Sequence, residues 1–293
     1  MNPTGKLVVI GGAMDKGDRE GTNDARDRNL NYYQLGIVRR ILNESKGPES
    51  RVEIVPTASQ IPAEIGEDFI KAFSLAGCDN TGVLNITKRE EANDPEVIKR
   101  LNAADIVIFS GGDQLRLTSI YGGTQFLKTL STRYQEEGLL IAGTSAGAAA
   151  ASNSMIYQGS SSEALLKGEV KITQGLGFID GVIIDTHFVK RGRIGRLFQA
   201  VASNPAMLGI GLGEDTGLII TDGNKMEAIG SGLVVLVDGE NIRDTNLTDI
   251  PVGSPISIEN LGVHVLSLYD TYNISEKKMN IAKKGKVKEP LDY

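Results

Sequence analysis

The chain has no tryptophan, one cysteine and two histidines in 293 residues. Each shortage removes a class of function. With aromatics at only 5%, a base-stacking nucleic-acid surface has little to build on. The formal net charge of −6 points the same way, because phosphate binders are usually basic. A single cysteine, Cys78, excludes an intramolecular disulfide and a cysteine-built metal site, and it suits a buried packing position in a reducing compartment. No apolar run reaches the ~20 residues of a membrane span. The start, Met1-Asn2-Pro3-Thr4-Gly5-Lys6, leads into a short strand without a signal-peptide apolar region, so the expectation is a soluble, cytoplasmic protein.

What is present is ordinary bulk with unusual glycine. Hydrophobic residues at 40% and charged residues at 23% suit a globular protein, while 35 glycines exceed the usual share and promise many tight turns. Apolar strand patterns at Leu7–Ile10, Arg51–Val55, Thr81–Ile86, Asp105–Phe109 and Leu139–Ala142 alternate with helical ones at 32–42, 63–76, 95–103, from Gln114, and 126–137. That alternation predicts an α/β fold with a doubly wound, mostly parallel sheet. Further strands are expected at Val182–Ile184, Leu208–Leu212, Gly217–Thr221, Lys225–Ile229, Leu233–Asp238 and 263–269, with a helix over 191–202. No repeat or composition break appears, so residues 1–274 read as one domain. The tail, 275–293, carries six lysines and reads as a frayed, solvated end. The charged stretch Asp15–Arg28 reads as an exposed loop, either a substrate lid or a mere connection.

One stretch organises the chain. Leu139-Leu140-Ile141-Ala142 runs into Gly143-Thr144-Ser145-Ala146-Gly147, and alanines that favour a helix follow. Strand, sharp turn and helix with a serine at the tip make a nucleophile elbow. The elbow lifts the Ser145 hydroxyl out of the sheet and turns the Ala146 amide toward whatever it attacks.

A serine needs a base. His264 lies within the alternating strand Gly262-Val263-His264-Val265-Leu266 and reads as an ordinary strand residue. His187 stands where an apolar strand ends, in Asp185-Thr186-His187-Phe188, the place where sites gather in open α/β sheets. An acid must orient the base, and Glu214 or Asp215, ending the Leu208–Leu212 strand, could do so. The Gly111-Gly112-Asp113 turn offers either a second oxyanion donor through the Gly112 and Asp113 amides or only a tight β–α connection. Lys190-Arg191-Gly192-Arg193-Ile194-Gly195-Arg196 puts cations at a helix start, where the dipole disfavours them, and invites an anionic ligand such as a carboxylate.

Together, Phe109-Ser110-Gly111-Gly112-Asp113-Gln114, Gly143-Thr144-Ser145-Ala146-Gly147-Ala148, Asp185-Thr186-His187-Phe188 with Arg191, Arg193 and Arg196, and Gly213-Glu214-Asp215-Thr216 resemble the cyanophycinases. These are serine-type exopeptidases of the peptidase E-like family. The likeness runs from Val9-Ile10-Gly11-Gly12-Ala13 to about Val237. It implies a class I glutamine amidotransferase-like fold, usually homodimeric. It also implies cyanophycin as substrate, a poly-aspartate with arginine in isopeptide linkage, released as β-aspartyl-arginine without metal or cofactor. By the same resemblance Ser145 is the nucleophile, His187 the base and Glu214 the acid. Gln114, Asp185, Arg191, Arg193 and Arg196 become substrate contacts, the arginines for carboxylates and Asp185 for guanidinium. The alternatives are a peptidase E-like enzyme cleaving aspartyl dipeptides, an inactive ligand-binding member and, least of all, a nucleic-acid binder.

Overall fold

In the first strand, β1 (Lys6–Gly11), the two-residue side-chain period sends Leu7 and Val9 to one face and Val8 and Ile10 to the other, and all four are buried. A strand buried on both faces needs cover on both. The computed structural model, which describes residues 2–16 and 35–283, provides it. β2 (Val52–Val55), β3 (Thr81–Val83), β4 (Ile106–Phe109) and β5 (Leu140–Thr144) run parallel with β1 in the order β1-β5-β4-β2-β3. On one face α1 (Gly36–Asn43) and α2 (Pro62–Leu75) bury Ile37, Val38, Ile41, Phe69 and Phe73. On the other, α3 (Pro95–Ala103), α4 (Gln114–Tyr121) and α5 (Gln125–Glu136) bring Tyr121 and Phe126 against Phe109. The doubly wound, parallel-rich sheet expected from the sequence is therefore present.

Beyond the elbow the strands divide between two sheets. β10 (Thr216–Thr221) pairs antiparallel with β1 and is followed outward by β11 (Lys225–Gly230), β16 (Thr271–Asn273) and β17 (Lys278–Asn280). Among the described residues this sheet has nine strands, and a second has six, ordered β15-β12-β9-β8-β6-β7. Its members are β6 (Ser152–Gln158), β7 (Lys171–Gln174), β8 (Ile179–Thr186), β9 (Leu208–Leu212), β12 (Val234–Asp238) and β15 (Gly262–Leu266). A short ribbon, β13 (Asp244–Thr245) with β14 (Ile258–Glu259), stands apart.

Two sequence expectations change here. The start of the lysine-rich tail is not frayed, because β17 pairs with β16 and Asn224 Oδ1 accepts both the N–H and the hydroxyl of Ser275. Residues 284–293 of that tail lie outside the described residues. Of the charged loop 15–28, Asp15 is buried rather than exposed, and 17–28 lie outside the described residues. Cys78 is buried, as expected.

The elbow helix, α6 (Ala146–Ala151), is wedged between the sheets, touching β1, β4 and β5 on one side and β6 and β8 on the other. All six of its residues are buried, which is why the sequence there is alanine and glycine. The outer face of the second sheet is closed by α7 (Ile194–Ser203) through Leu197, Ala200 and Val201. At the crossing of α6 over β4, a Cβ on Gly147 would stand 2.7 Å from Phe109 Cβ and 2.8 Å from its carbonyl oxygen. Gly147→Ala is therefore expected to cost about 1–3 kcal/mol, read as a lower urea midpoint at unchanged slope. An unchanged midpoint would show that the helix is not clamped there.

Candidate active site

Strand register brings the site together. Thr144 of β5 pairs with Ile10 of β1, and the Ser145 N–H donates to the Ile10 carbonyl at 2.8 Å. Thr186 of β8 pairs with Leu212 of β9, so His187 and Glu214 leave the second sheet side by side. Ser145 Oγ lies 3.0 Å from His187 Nε2, and His187 Nδ1 lies 2.6 Å from Glu214 Oε1. The other Glu214 oxygen accepts the Ala13 N–H from the turn after β1. Of the expected set of Ser145, His187 and either Glu214 or Asp215, Ser145 thus meets His187, and His187 meets Glu214. Asp215 points elsewhere.

The backbone is strained at these turns. Ser145 has φ 48° and ψ −103°, His187 φ 53° and Asp215 φ 44°, values that side-chain-bearing residues rarely adopt. Such strain costs of order 1–3 kcal/mol per residue and clusters where geometry must be imposed. Burial alone would raise the Glu214 carboxyl, but hydrogen bonds from His187 and the Ala13 N–H outweigh it and hold it below the usual carboxylate range.

Beside the serine, a Cβ on Gly111 would stand 3.3 Å from Ser145 Cβ, so the glycine turn closes directly on Ser145. Among the described residues the Gly112 and Ala146 amide N–H groups meet no acceptor. Asp113 departs from expectation: its N–H donates to Ala58 O at 2.9 Å, and its carboxylate caps α4 by accepting the Leu115 N–H. Its amide is spent on the fold and is not available to an oxyanion.

The basic run is also divided. Arg191 is exposed, and among the described residues no acceptor meets its guanidinium. Asp185 and Arg196 are buried, at 2% and 6% exposure, and they pair with one another and with Arg193 instead of facing outward. Of the expected substrate contacts, Asp185 and Arg196 are thus enclosed, with Asp185 as the shared partner of Arg193 and Arg196. Gln114 opens α4, half-buried, and its Nε2 donates to Ile156 O at 3.0 Å. The helix expected from Arg191 begins only at Ile194, so Arg191 and Arg193 sit on the preceding turns. His264 lies in β15 with its ring 5.6 Å from that of Tyr272, a strand histidine as expected.

Two partners escaped the sequence reading. The first is the Gly12-Ala13 turn, where any side chain on Gly12 (φ 61°) would overlap the Glu214 carboxylate. A glycine pair after the first strand was its signal. The second is the buried set of Asp215, Asp15 and Ser231. Ser231 Oγ donates to Asp215 at 2.7 Å, and the Asp15 N–H donates to it at 3.2 Å. Burial lifts the Asp215 carboxyl to about 6; the hydrogen bonds from Ser231 and the Asp15 N–H oppose this, and the Asp15 charge adds to it.

A serine on an elbow, hydrogen-bonded to a histidine that a carboxylate orients, defines a serine hydrolase built on an α/β sheet. Residues 29–228 match the model of Peptidase family S51. The cyanophycinase of Trichormus variabilis is 34% identical over 271 residues, spanning 92% of this chain and 86% of that protein. That of Geminocystis herdmanii is 33% identical over 267 residues, 91% of this chain and 93% of that protein. The crystal structure of a peptidase from an acI-B1 Actinobacterium shares the fold with a TM-score of 0.65 at 19% identity, over 93% of this chain and 98% of that one. The chain belongs to peptidase family S51.

Because Asp215 sits at about 6 in the fold against an ordinary 3.8, the folded protein binds the extra proton between those values. Its contribution to stability therefore falls as pH rises through that window, by about 3 kcal/mol. Asp215→Asn should remove this slope, so the unfolding free energy of the variant gains on the unmutated protein between about pH 4 and 7. A difference that does not change with pH would contradict the assignment.

Proposed function

We propose that this protein is a serine-type exopeptidase that hydrolyses cyanophycin and releases β-aspartyl-arginine dipeptides. The observation that carries the reading is the continuous hydrogen-bonded line from Ser145 through His187 to Glu214. It occurs in a chain 34% identical to a cyanophycinase over 92% of its length.

The chemistry follows from the atoms in place. Ser145 Oγ attacks the backbone aspartyl carbonyl while its proton passes to His187 Nε2. Glu214 holds the proton on Nδ1 and stabilises the imidazolium. The oxyanion is received by the Ala146 and Gly112 N–H groups. Collapse breaks the amide bond, His187 returns its proton to the leaving amine, and water attacks the acyl-enzyme by the same route in reverse. No step needs a metal or cofactor.

Each repeat of the substrate carries a free arginine α-carboxylate and a guanidinium. Arg191, exposed beside His187, suits the carboxylate by bidentate pairing, with the partly exposed Arg193 behind it. The amide oxygen of Gln114 suits a guanidinium, since the protein uses only its Nε2. We also propose that the protein works in the cytoplasm as a homodimer. Support comes from the family resemblance and from Val263 and Val265, about half exposed on the edge strand β15. Light scattering would give the mass.

Incubated with insoluble cyanophycin, the unmutated protein should release β-aspartyl-arginine, identified by mass. Ser145→Ala should lose activity by about 10³-fold or more. Full activity in that variant would remove the nucleophile, and cleavage of aspartyl dipeptides with intact polymer would replace the substrate.

A further inference from the structure

Asp215 does not meet His187, yet it is buried directly beside the residue that does, and both of its carboxylate oxygens are hydrogen-bonded. Oδ2 accepts the Ser231 hydroxyl at 2.7 Å, and Oδ1 accepts the Asp15 N–H at 3.2 Å. The same two segments hold its main chain. The Asp215 N–H donates to Ala13 O at 2.9 Å, and its carbonyl accepts the Ser231 N–H at 2.8 Å. Asp15 is anchored in turn, since its Oδ2 accepts the Leu35 N–H at 2.8 Å just before α1.

These bonds converge on the turn after β1. The antiparallel ladder of β1 with β10 ends where Gly11 faces Thr216. Past that point Ala13 is gripped from both sides: its N–H donates to the Glu214 carboxylate and its carbonyl accepts the Asp215 N–H. Two residues on, the Asp15 N–H reaches the Asp215 carboxylate. Residues 12–15 thus wrap the Glu214-Asp215 pair, and each acid takes one main-chain N–H from the turn. Glycines press from the other side: a Cβ on Gly230 would stand 2.2 Å from Asp215 O, and one on Gly232 would stand 2.8 Å from Glu214 O. Between these two walls Asp215 is held at φ 44°.

A carboxylate that orients a histidine must itself be fixed. The Glu214 side chain is 27% exposed, and among the described residues its carboxylate has two hydrogen-bond partners, His187 and the Ala13 N–H. The Ala13 N–H is therefore its anchor on the frame, and that anchor is only as fixed as the turn. We infer that Asp215 is a positioning residue for the hydrolysis: with Ser231 it holds the turn 12–15 so that the Ala13 N–H keeps Glu214 aimed at His187. The inference rests on the proposed roles of Ser145, His187 and Glu214 and goes beyond them, giving the buried neighbour of the acid a part in every turnover.

In the full-length protein, Asp215→Ala should lower kcat on a short cyanophycin oligomer by about 10²-fold, with KM little changed. Labelling by a fluorophosphonate probe should slow to the same degree, and the His187 Nδ1 proton, read by NMR, should move upfield. Asp215→Asn should restore most of all three, because its amide oxygen accepts the Asp15 N–H while Ser231 Oγ accepts from its NH2 group. If Asp215→Ala does not fold, Ser231→Ala carries the same readouts. A folded Asp215→Ala with a lower urea midpoint but unchanged kcat, labelling and imidazole proton would overturn the inference, leaving Asp215 a role in stability alone. Undiminished labelling of Ser145→Ala would instead overturn the reading of Ser145 on which it rests.

Discussion

The Glu214 carboxylate ties the two sheets together at the turn after β1. One oxygen receives His187 from the second sheet, and the other receives the Ala13 N–H from the turn after β1 in the first. Ser145 hangs from that same β1 through the bond between its N–H and Ile10 O. Ser145, His187 and Glu214 therefore close a loop across the interface, and a slip of either sheet would break it. The alanine helix α6 acts in the same place, since its small side chains set how near the two sheets can come.

The price of this geometry is local. Left-handed backbone at Ser145, His187 and Asp215, and buried carboxylates at Asp185 and Asp215, all lie at the strand ends that build the site. None of these features would be selected for stability alone, because buried charge and strained backbone both oppose folding. They are tolerated because the strands behind them are buried on both faces and leave the turns little freedom. Charge near His187 is divided: Asp185 and Arg196 are turned inward and pair with one another, while Arg191 remains exposed.

Much of this was legible in the sequence, and the parts that were not have physical reasons. Apolar runs such as Leu7–Ile10 and Leu208–Leu212 announced their strands because both faces are buried. The polar β6 and β7, in which Asn153, Gln158, Lys171 and Ile172 are exposed, gave no such run and went unseen. Ser145, His187 and Glu214 stood out because strand ends concentrate chemistry, and resemblance decided between Glu214 and its neighbour. That Asp185 and Arg196 face inward and pair was not legible, because charge in a motif does not reveal which way a side chain points. The Asp113 amide was misread likewise: nothing in the sequence shows that Ala58 O lies across from it. Gly12 was visible only as a turn, since its contact with Glu214 spans about two hundred residues of chain.

The central claim is that Glu214 fixes His187 as the base for Ser145. With only two histidines in the chain, ¹⁵N labelling of histidine gives two imidazoles to assign. The account predicts neutral His187 protonated on Nδ1, with a far-downfield proton that disappears in Glu214→Gln, leaving Nε2 free to accept from Ser145. A His187 protonated on Nε2, or a resonance indifferent to Glu214, would contradict it.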